Sequence, residues 1–423
     1  MVEKVISDFV VHGLSSIVIY PNPYRSKASE FSWETQEKLD YSIASRDGKI
    51  CWIGKAEALS ESVKLTSDAE VISGRGLSAV PGFVDSHTHL VYAGDRSAEF
   101  EMRVQGRKYL DILASGGGIL KTVSAVRSMS EDELFHESKE RAWKMIESGV
   151  TTLEIKSGYG LDLENEIKIL KVVKRLAEDL PIRIIPTFMG AHAVPAEYRE
   201  NSDKFVEMIC RKWIPAIADS KLAKFNDVFT ENKAFNVEQS RLILESGKKS
   251  GLIPKIHADE INVIGGVDLA VEIGAASADH LLKTGSDGIK KLAGSGVIPT
   301  LLPGTSTFLM ESHHASAREM IEAGLPVAIA SDMNPGSCQF YSASMIQTLA
   351  MLQLRMSASE ALIAATLHSA HSLQVGNMTG SIETGKSMDL VLIEAGSFRQ
   401  IGYRAGDNIV NMVIAKGIPV FSQ

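Results

Sequence analysis

The sequence predicts an α/β protein, with a (β/α)8 TIM barrel in the middle of the chain and β-rich segments at both termini. In the middle of the chain, eight apolar strand segments alternate with amphipathic helical segments, which is the pattern of such a barrel. Both ends of the chain instead carry short strands separated by polar turns. The eight barrel strands are predicted at residues 83–90, 151–156, 182–189, 224–230, 254–257, 276–280, 297–302 and 327–330.

The remaining elements follow from the same periodicities. Apolar residues at helical spacing predict helices at 131–148, 163–179, 237–250 and 316–323, and two closing helices at 342–356 and 358–372. Alternating apolar residues predict terminal strands at 14–20, 40–46, 49–53, 69–73, 389–394 and 409–415. We therefore expect three segments, which are a β-rich N-terminal part, the barrel and a β-rich C-terminal part, at 1–80, 81–375 and 376–423.

The composition excludes several classes of protein. Of the 423 residues, 44% are hydrophobic and 23% are charged, which is ordinary for a soluble globular protein. The net charge of -8 argues against nucleic-acid or anionic membrane partners, and no apolar run is long enough to span a bilayer. The three cysteines are too widely spaced for a disulfide framework or a Cys-x-x-Cys metal site. The N-terminal residues do not have the pattern of a signal peptide, so we expect a cytoplasmic protein.

The first barrel strand ends in a His-x-His sequence, His87-Thr88-His89. Side chains in a strand alternate between its faces, so these two imidazoles are predicted to point to the same side. Two imidazoles on one face can bind one metal ion, for which histidine is the commonest ligand. The pair alone is weak support for a metal site, because a structural role is equally compatible with it.

Polar residues also follow the later strands, at the ends where the chemistry of such barrels is located. They occur at residues 156–161, 190–195, 257–260, 279–280 and 331–337. Three histidines and one carboxylate form a catalytic metal shell that leaves a position for water. His87, His89, His257 and Asp332 would supply this shell.

Other residues at the strand ends have two interpretations each. Glu260, three residues after His257, could transfer protons or could be a surface residue at a helix start. Arg96 could bind a substrate carboxylate in bidentate geometry or form a surface ion pair with Asp95 or Glu99. His192 could contact substrate or a backbone group, and His280 could be a buried core histidine.

With these motifs in place, the chain resembles the amidohydrolase superfamily and, within it, the imidazolonepropionase family. The His-x-His segment at 81–89 is typical of the superfamily. The more specific segments are 156–162, 190–195 and 331–337, with 257–260 and 278–280 in support. Two positions depart slightly from the family pattern: Ser86, where proline or another small residue is frequent, and Ser337, where threonine is frequent.

The resemblance implies an enzyme of histidine degradation that hydrolyses 4-imidazolone-5-propanoate to N-formimidoyl-L-glutamate. It implies one zinc or iron ion per subunit, held by the four residues of the shell named above. Arg96, Tyr159 and His192 would hold the substrate, with Glu260 and His280 close to its reacting carbonyl. Asn334, Gly336 and Ser337 would bind the glutamate or formimidoyl part of the product. The family also implies a homodimer. It further implies that the two termini together form a small β-sandwich domain beside the barrel.

Several alternatives remain open at this point. The general base could be Asp332, His280 or Glu260. Lys233 follows the fourth strand but lies a few residues beyond the place of a carboxylated lysine, so we expect one metal ion rather than two. A cyclic-amidine deaminase of the same superfamily would share the metal shell, although Arg96 and Tyr159 favour an acidic substrate over a neutral nucleobase. A barrel that has lost its metal is the non-enzymatic alternative.

Overall fold

The structure is a computed structural model that describes residues 4–27, 30–107 and 117–423. Its strands fall into one mixed sheet from the two ends of the chain and two parallel sheets from the middle. The strands are β1 Val5–Ile19, β2 Gln36–Arg46, β3 Lys49–Lys55, β4 Val63–Ser73, β5 Ser78–Pro81, β6 Phe83–Asp85, β7 Val150–Lys156, β8 Arg183–Ala191, β9 Phe225–Val228, β10 Ile253–Pro254, β11 Ile256–Ala258, β12 Ser277–His280, β13 Ile298–Leu301, β14 Ala328–Ile329, β15 Leu390–Ile393, β16 Val410–Ala415 and β17 Ile418–Ser422.

The two ends of the chain share one eight-stranded sheet, in the order β17-β16-β15-β5-β1-β2-β3, with β4 paired to β1. Strand β5 connects the two ends, because it runs parallel to β1 and antiparallel to β15. Apolar side chains from both ends, including Leu14, Ile43 and Leu390, form one buried cluster on this sheet. The predicted association of the termini is thus observed, and we propose that they form one domain beside the barrel.

The middle of the chain contains parallel strands in sequence order. One sheet runs β10-β9-β8-β7-β6 and the other runs β11-β12-β13-β14. Single parallel bridges connect the two sheets, between Phe229 and His257 on one side and between Thr88 and Met333 on the other. Eight predicted barrel strands are therefore present, the fifth being divided into β10 and β11.

Helices separate these strands, as the periodicity predicted. The described α-helices of seven or more residues are Ser97–Val104, Ile119–Ser128, Glu131–Glu147, Leu163–Asp179, Ser202–Met208, Val237–Lys249, Gly266–Ile273, Ser286–Leu292 and Ala343–Gln353. The shorter ones are Leu59–Ser62, Ile214–Asp219, Pro303–Phe308, Ala317–Glu322, Ala358–Ile363, Ser369–Ser372 and Gln400–Tyr403. Short 3-10 helices cover Ala56–Ala58 and Ala196–Tyr198, and π-helical turns cover Ile209–Trp213 and Ala364–His368. The second predicted closing helix is thus interrupted by a π-helical turn.

Side-chain caps explain where the long helices begin. Ser130 and Glu133 form a reciprocal capping box at the start of Glu131–Glu147. Asp162 accepts a hydrogen bond from the backbone N–H of Asn165 and caps Leu163–Asp179. The apolar faces of these helices are buried against the parallel strands. The strands next to these two helices are therefore flanked by helices with a defined start.

The first barrel strand is shorter than predicted, because β6 ends at Asp85 and not at Leu90. The residues beyond it pair with the segment after β14. Asp332 donates its N–H to the carbonyl oxygen of His87, and His89 donates its N–H to the carbonyl oxygen of Met333. The two histidines of His-x-His are thus positioned by pairing with this distant segment and not by a continuous strand.

None of the helices that the structure describes is both long and apolar enough to cross a membrane.

Candidate metal centre and active site

The four predicted metal ligands lie together at the carboxyl ends of the parallel strands. His87 and His89 follow β6, His257 lies in β11, and Asp332 follows β14. All four residues are buried, with exposed fractions of 0 to 3%. Oδ1 of Asp332 lies 3.5 Å from Nε2 of His87 and 3.8 Å from Nε2 of His89. The rings of His87 and His257 are 4.5 Å apart between centroids.

In two of these histidines, one ring nitrogen contacts a carboxylate and the other has no partner in the part of the chain that the structure describes. Nδ1 of His87 lies 2.7 Å from Oδ2 of Asp279, and Nδ1 of His257 lies 3.1 Å from Oδ1 of Asp227. Among the described residues, Nε2 of each is buried without a hydrogen-bond partner. Histidines that bind a metal commonly donate their other N–H to a carboxylate in this way.

The donor set fits a metal ion of the zinc or iron type. Potential ligand atoms of His87, His89 and Asp332 lie within 4.8 Å of one another, as do those of His87, His257 and His280. Burial, reinforced by the charge of Lys156, holds the pKa of His87 well below its ordinary value. Burial likewise lowers the pKa of His89 and His257. Neutral imidazole is the form that binds metals, so these side chains are ready to act as ligands.

One hydroxyl group and one side-chain amide hold Asp332 in place. Thr305 donates a 2.6 Å hydrogen bond to its Oδ2, and the side-chain amide of Asn334 donates to its backbone carbonyl oxygen at 2.7 Å. Burial raises the pKa of Asp332 to about 7. Asp332 also has a positive φ of 54°, a strained conformation that non-glycine residues adopt rarely and often at functional sites.

Glu260 and His280 face each other beside this group, with Oε2 and Nε2 3.6 Å apart. The adjacent cavity is lined by apolar side chains, among them Leu301, Leu302 and Leu309. Burial, with a contribution from the charge of Asp332, raises the pKa of Glu260 to about 8. Burial lowers the pKa of His280 to about 4. Glu260 lies in the loop after β11 and not at a helix start, so the structural alternative considered for it does not apply.

Tyr159 and His192 both lie against His89, one of the predicted metal ligands. The ring of His192 stacks on that of His89 with 4.7 Å between centroids, and Tyr159 lies 5.3 Å from His192. The loop that carries Tyr159 is held by Glu166, whose carboxylate accepts hydrogen bonds from three backbone N–H groups, those of Gly158, Gly160 and Leu161. His192 Nδ1 is 3.2 Å from the carbonyl oxygen of Gly158, so its predicted backbone contact is also present.

Arg96 is paired with Glu99 at the mouth of the barrel. Its Nε and Nη2 atoms lie 3.0 and 2.8 Å from Oε2 of Glu99, and the two side chains are 12 and 5% exposed. The ion pair foreseen as an alternative is therefore present, but it is buried and not on the surface. A Cβ atom on Gly336 would lie 2.2 Å from Nη1 of Arg96. Glycine at this position leaves the space that the guanidinium occupies.

The segment 334–337 is held by its own hydrogen bonds. Asn334 Oδ1 accepts the backbone N–H groups of Gly336 and Ser337, both at 2.8 Å. The Asn334 side-chain amide also donates to Ser337 Oγ at 2.9 Å. These contacts shape the loop beside Arg96. Lys233, in contrast, is exposed outside this group of residues.

Sequence reasoning missed a set of buried charged residues beneath the site. They are Glu154, Lys156, Asp227, Lys255 and Asp279, and each is 0% exposed. Their signal in the sequence is a charged residue within a strand segment that is otherwise apolar, such as Leu153-Glu154-Ile155-Lys156. Thr305, which holds Asp332, carried no comparable signal, whereas Glu99 had been considered as an ion-pair partner of Arg96.

Solved structures with similar folds include two deaminases. Guanine deaminase from E. coli superposes with a TM-score of 0.72 at 15% identity, covering 98% of this chain and 99% of that one. An adenosine deaminase from Xanthomonas campestris with bound zinc superposes with a TM-score of 0.71 at 17% identity, covering 100 and 94%. At these identities the likeness concerns the fold alone, and it confirms the predicted (β/α)8 class.

Sequence relatives are much closer. Imidazolonepropionase from Geobacillus sp. (strain WCH70) is 48% identical over 377 residues, which are 89% of each chain. Imidazolonepropionase from Brevibacillus brevis is 47% identical over 91% of each chain. A sequence model described as "Amidohydrolase family" matches residues 78–420. The chain therefore belongs to the amidohydrolase family and, within it, to the imidazolonepropionase family.

Proposed function

We propose that this chain hydrolyses 4-imidazolone-5-propanoate to N-formimidoyl-L-glutamate, a step of histidine degradation. The observation that carries the proposal is the 43 to 48% identity to imidazolonepropionases over most of both chains. The geometry supports it, because a histidine-carboxylate group, a buried acid and a guanidinium meet at one end of the barrel. The hydrolysed bond is the ring amide, so one water molecule is consumed and no ammonia is released.

His87, His89, His257 and Asp332 would hold one zinc or iron ion in this proposal. When bound, such an ion lowers the pKa of a water molecule to about 7 and polarises a carbonyl group. The free Nε2 atoms of His87 and His257, each opposite a carboxylate-bound Nδ1, support this assignment. Nitrogen and oxygen donors suit both metals, so elemental analysis of the purified protein has to identify the ion.

The other residues of the site would bind the substrate and move protons. Arg96 would receive the propionate carboxylate through Nη1 and the second N–H of Nη2, since Nε and one N–H of Nη2 are engaged by Glu99. Tyr159 and His192 would hold the ring, and Asn334, Gly336 and Ser337 would shape the pocket for the glutamate part of the product.

Water attacks the ring carbonyl carbon and the carbon-nitrogen bond then breaks. Asp332 would accept the proton of the attacking water. Glu260, whose pKa of about 8 leaves it protonated at neutral pH, would donate a proton to the leaving ring nitrogen. The neutral His280 would donate an N–H to the developing oxyanion, where a fixed donor in a dry site is worth several kcal/mol.

The test is to add freshly prepared 4-imidazolone-5-propanoate to the purified, metal-loaded protein and follow the loss of ultraviolet absorbance. N-formimidoyl-L-glutamate, identified by mass spectrometry without ammonia, is the expected product. Release of ammonia would instead support the deaminase alternative. No turnover by protein that contains one metal ion per chain would contradict the proposal.

We also propose a cytoplasmic homodimer without nucleic-acid or membrane partners, from the family resemblance and the net charge of -8. Light scattering of the eluting protein measures its mass directly. A mass of about twice the 45.9 kDa of one chain is expected, and a mass of one chain would contradict the dimer.

A further inference from the structure

Beneath the proposed metal centre lies a cluster of five charged side chains, which we call the buried charge cluster. Two are cations, Lys156 and Lys255, and three are carboxylates, Glu154, Asp227 and Asp279. They come from the parallel strands of the barrel and from the residue between β10 and β11, and all are 0% exposed. Buried ions carry a large desolvation cost, so such a cluster is weak support for a purely stabilising role.

Lys156 makes the most contacts in the buried charge cluster. Its Nζ lies 2.7 Å from Oδ2 of Asp227, 3.0 Å from Oε2 of Glu154 and 3.5 Å from Oδ2 of Asp279. Lys255 contacts Glu154 at 3.0 Å and the carbonyl oxygen of Ser86 at 3.0 Å, and is 3.8 Å from Asp279. Among the described ion pairs, Lys156 alone joins Asp227 and Asp279 through one atom.

These two aspartates are the ones that contact the metal-site histidines. Asp227 uses Oδ2 for Lys156 and Oδ1 for Nδ1 of His257. Asp279 uses Oδ2 both for Lys156 and for Nδ1 of His87, at 2.7 Å from the latter. A continuous chain of contacts thus runs from one ammonium group, through two carboxylates, to two imidazole rings on different strands.

We propose that Lys156 is a positioning residue for the metal centre, fixing the carboxylates of Asp227 and Asp279 so that His87 and His257 direct their Nε2 atoms to one point. The inference rests on the proposed metal centre. The physical reason is that a carboxylate held from one side by an ammonium group cannot rotate away from its histidine. The two rings are then oriented together, because the same Nζ restrains both carboxylates.

The alternative is that Lys156 only neutralises Glu154. A set of three variants separates the two roles: Lys156→Met, Glu154→Gln and the charge-balanced double variant of both. The double variant removes one positive and one negative charge, and leaves Asp227, Asp279 and Lys255 in place. It therefore restores the charge balance of the barrel interior without restoring the contacts to the two aspartates.

The measurement is the Zn²⁺ dissociation constant, by competition with a chelator, together with the visible absorption of bound Co²⁺. Outer residues of metal sites typically contribute about 10- to 100-fold in affinity, and we expect Lys156→Met to weaken Zn²⁺ binding by that factor. The double variant should remain equally weak and show an altered Co²⁺ spectrum, while Glu154→Gln binds Zn²⁺ nearly as the unchanged protein does. Should Lys156→Met not fold, the double variant supplies the comparison, with folding checked by circular dichroism.

Wild-type Zn²⁺ affinity and an unchanged Co²⁺ spectrum in the double variant would overturn the inference, because they would reduce Lys156 to a counter-ion of Glu154. The variant His257→Ala tests the proposed ligand assignment separately. If His257→Ala binds Zn²⁺ as tightly as the unchanged protein, the ligand assignment is wrong, whatever the Lys156 variants do.

Discussion

The hydroxyl group of Thr305 donates a 2.6 Å hydrogen bond to Oδ2 of Asp332, and both residues are 3% exposed. The other oxygen of Asp332, Oδ1, faces the two histidines of His-x-His. Thr305 lies in the helix Pro303–Phe308, directly after β13. The carboxylate therefore has one oxygen held by the protein and one directed to the proposed metal.

Thr305→Val keeps the shape of this side chain and removes the donor. We expect metal affinity to fall about 10- to 100-fold, because Asp332 loses the contact that orients it. Chelator competition measures the change. Thr305→Ser retains a hydroxyl group and is the matched control, so equal losses in both variants would contradict a role for the hydrogen bond.

Removing a proposed histidine ligand should remove the ion. His87→Ala and His257→Ala each lose a buried imidazole with a free Nε2, and we expect metal content near zero and no activity while the barrel stays folded. Elemental analysis and circular dichroism check both points. His313→Ala, at an exposed histidine, is the control. Full metal content in a double variant of His87 and His257 would show that the ligands are elsewhere.

Arg96→Gln should mainly raise the KM for the substrate. Losing a hydrogen-bonded charge partner in a site of this kind costs about 2 kcal/mol or more, which is roughly 30-fold in binding. Steady-state kinetics measure it. Because Arg96→Gln also leaves Glu99 buried without its partner, the double variant with Glu99→Gln is compared. An unchanged KM in both would contradict carboxylate binding by Arg96.

Gly336→Ala should disturb Arg96 without touching its charge. The added Cβ would lie 2.2 Å from Nη1, so the guanidinium has to move. Overpacking of this kind costs about 1–3 kcal/mol, and we expect KM to rise roughly tenfold. Gly285→Ala is the control, since a Cβ there meets no atom within 4 Å. A KM equal to that of the control variant would mean that the position of Arg96 does not limit binding.

Glu260→Gln should lower kcat by about 100- to 10,000-fold, the range for a general acid or base. The unchanged enzyme should lose kcat/KM above pH 8, because Glu260 is the proton donor below its pKa of about 8 and an unprotonated carboxylate above it. The residual activity of Glu260→Gln should lack this fall. Metal content serves as the control. A loss of only two- or three-fold would assign Glu260 to substrate positioning.

The grouping of the four proposed metal ligands was predictable from sequence because these residues lie at strand ends. His87, His257 and Asp332 each follow an apolar run, and the barrel places all such ends at one side. The buried charge cluster was not predictable, because Glu154 and Lys156 show only that a charge lies inside an apolar run. Their partners are on other strands, and the pairing depends on side-chain reach across the barrel interior.

The predicted length of the first strand was wrong for a related reason. An apolar run from Phe83 to Leu90 has the composition of one strand, but the ladder with β7 ends at Asp85, and His87 and His89 pair with the segment after β14. Such pairing between distant segments leaves no mark in the local periodicity of either.

The bridge between Thr88 and Met333 has a consequence for how the chain acquires its site. It joins segments from the first and last barrel strands, and pairing across so long a sequence separation forms slowly. During synthesis, a nascent chain that has emerged only through residue 300 lacks Asp332 and this bridge. Metal uptake would therefore report that the barrel has been completed, and a chain stalled before its last strand would not hold the ion in the same way.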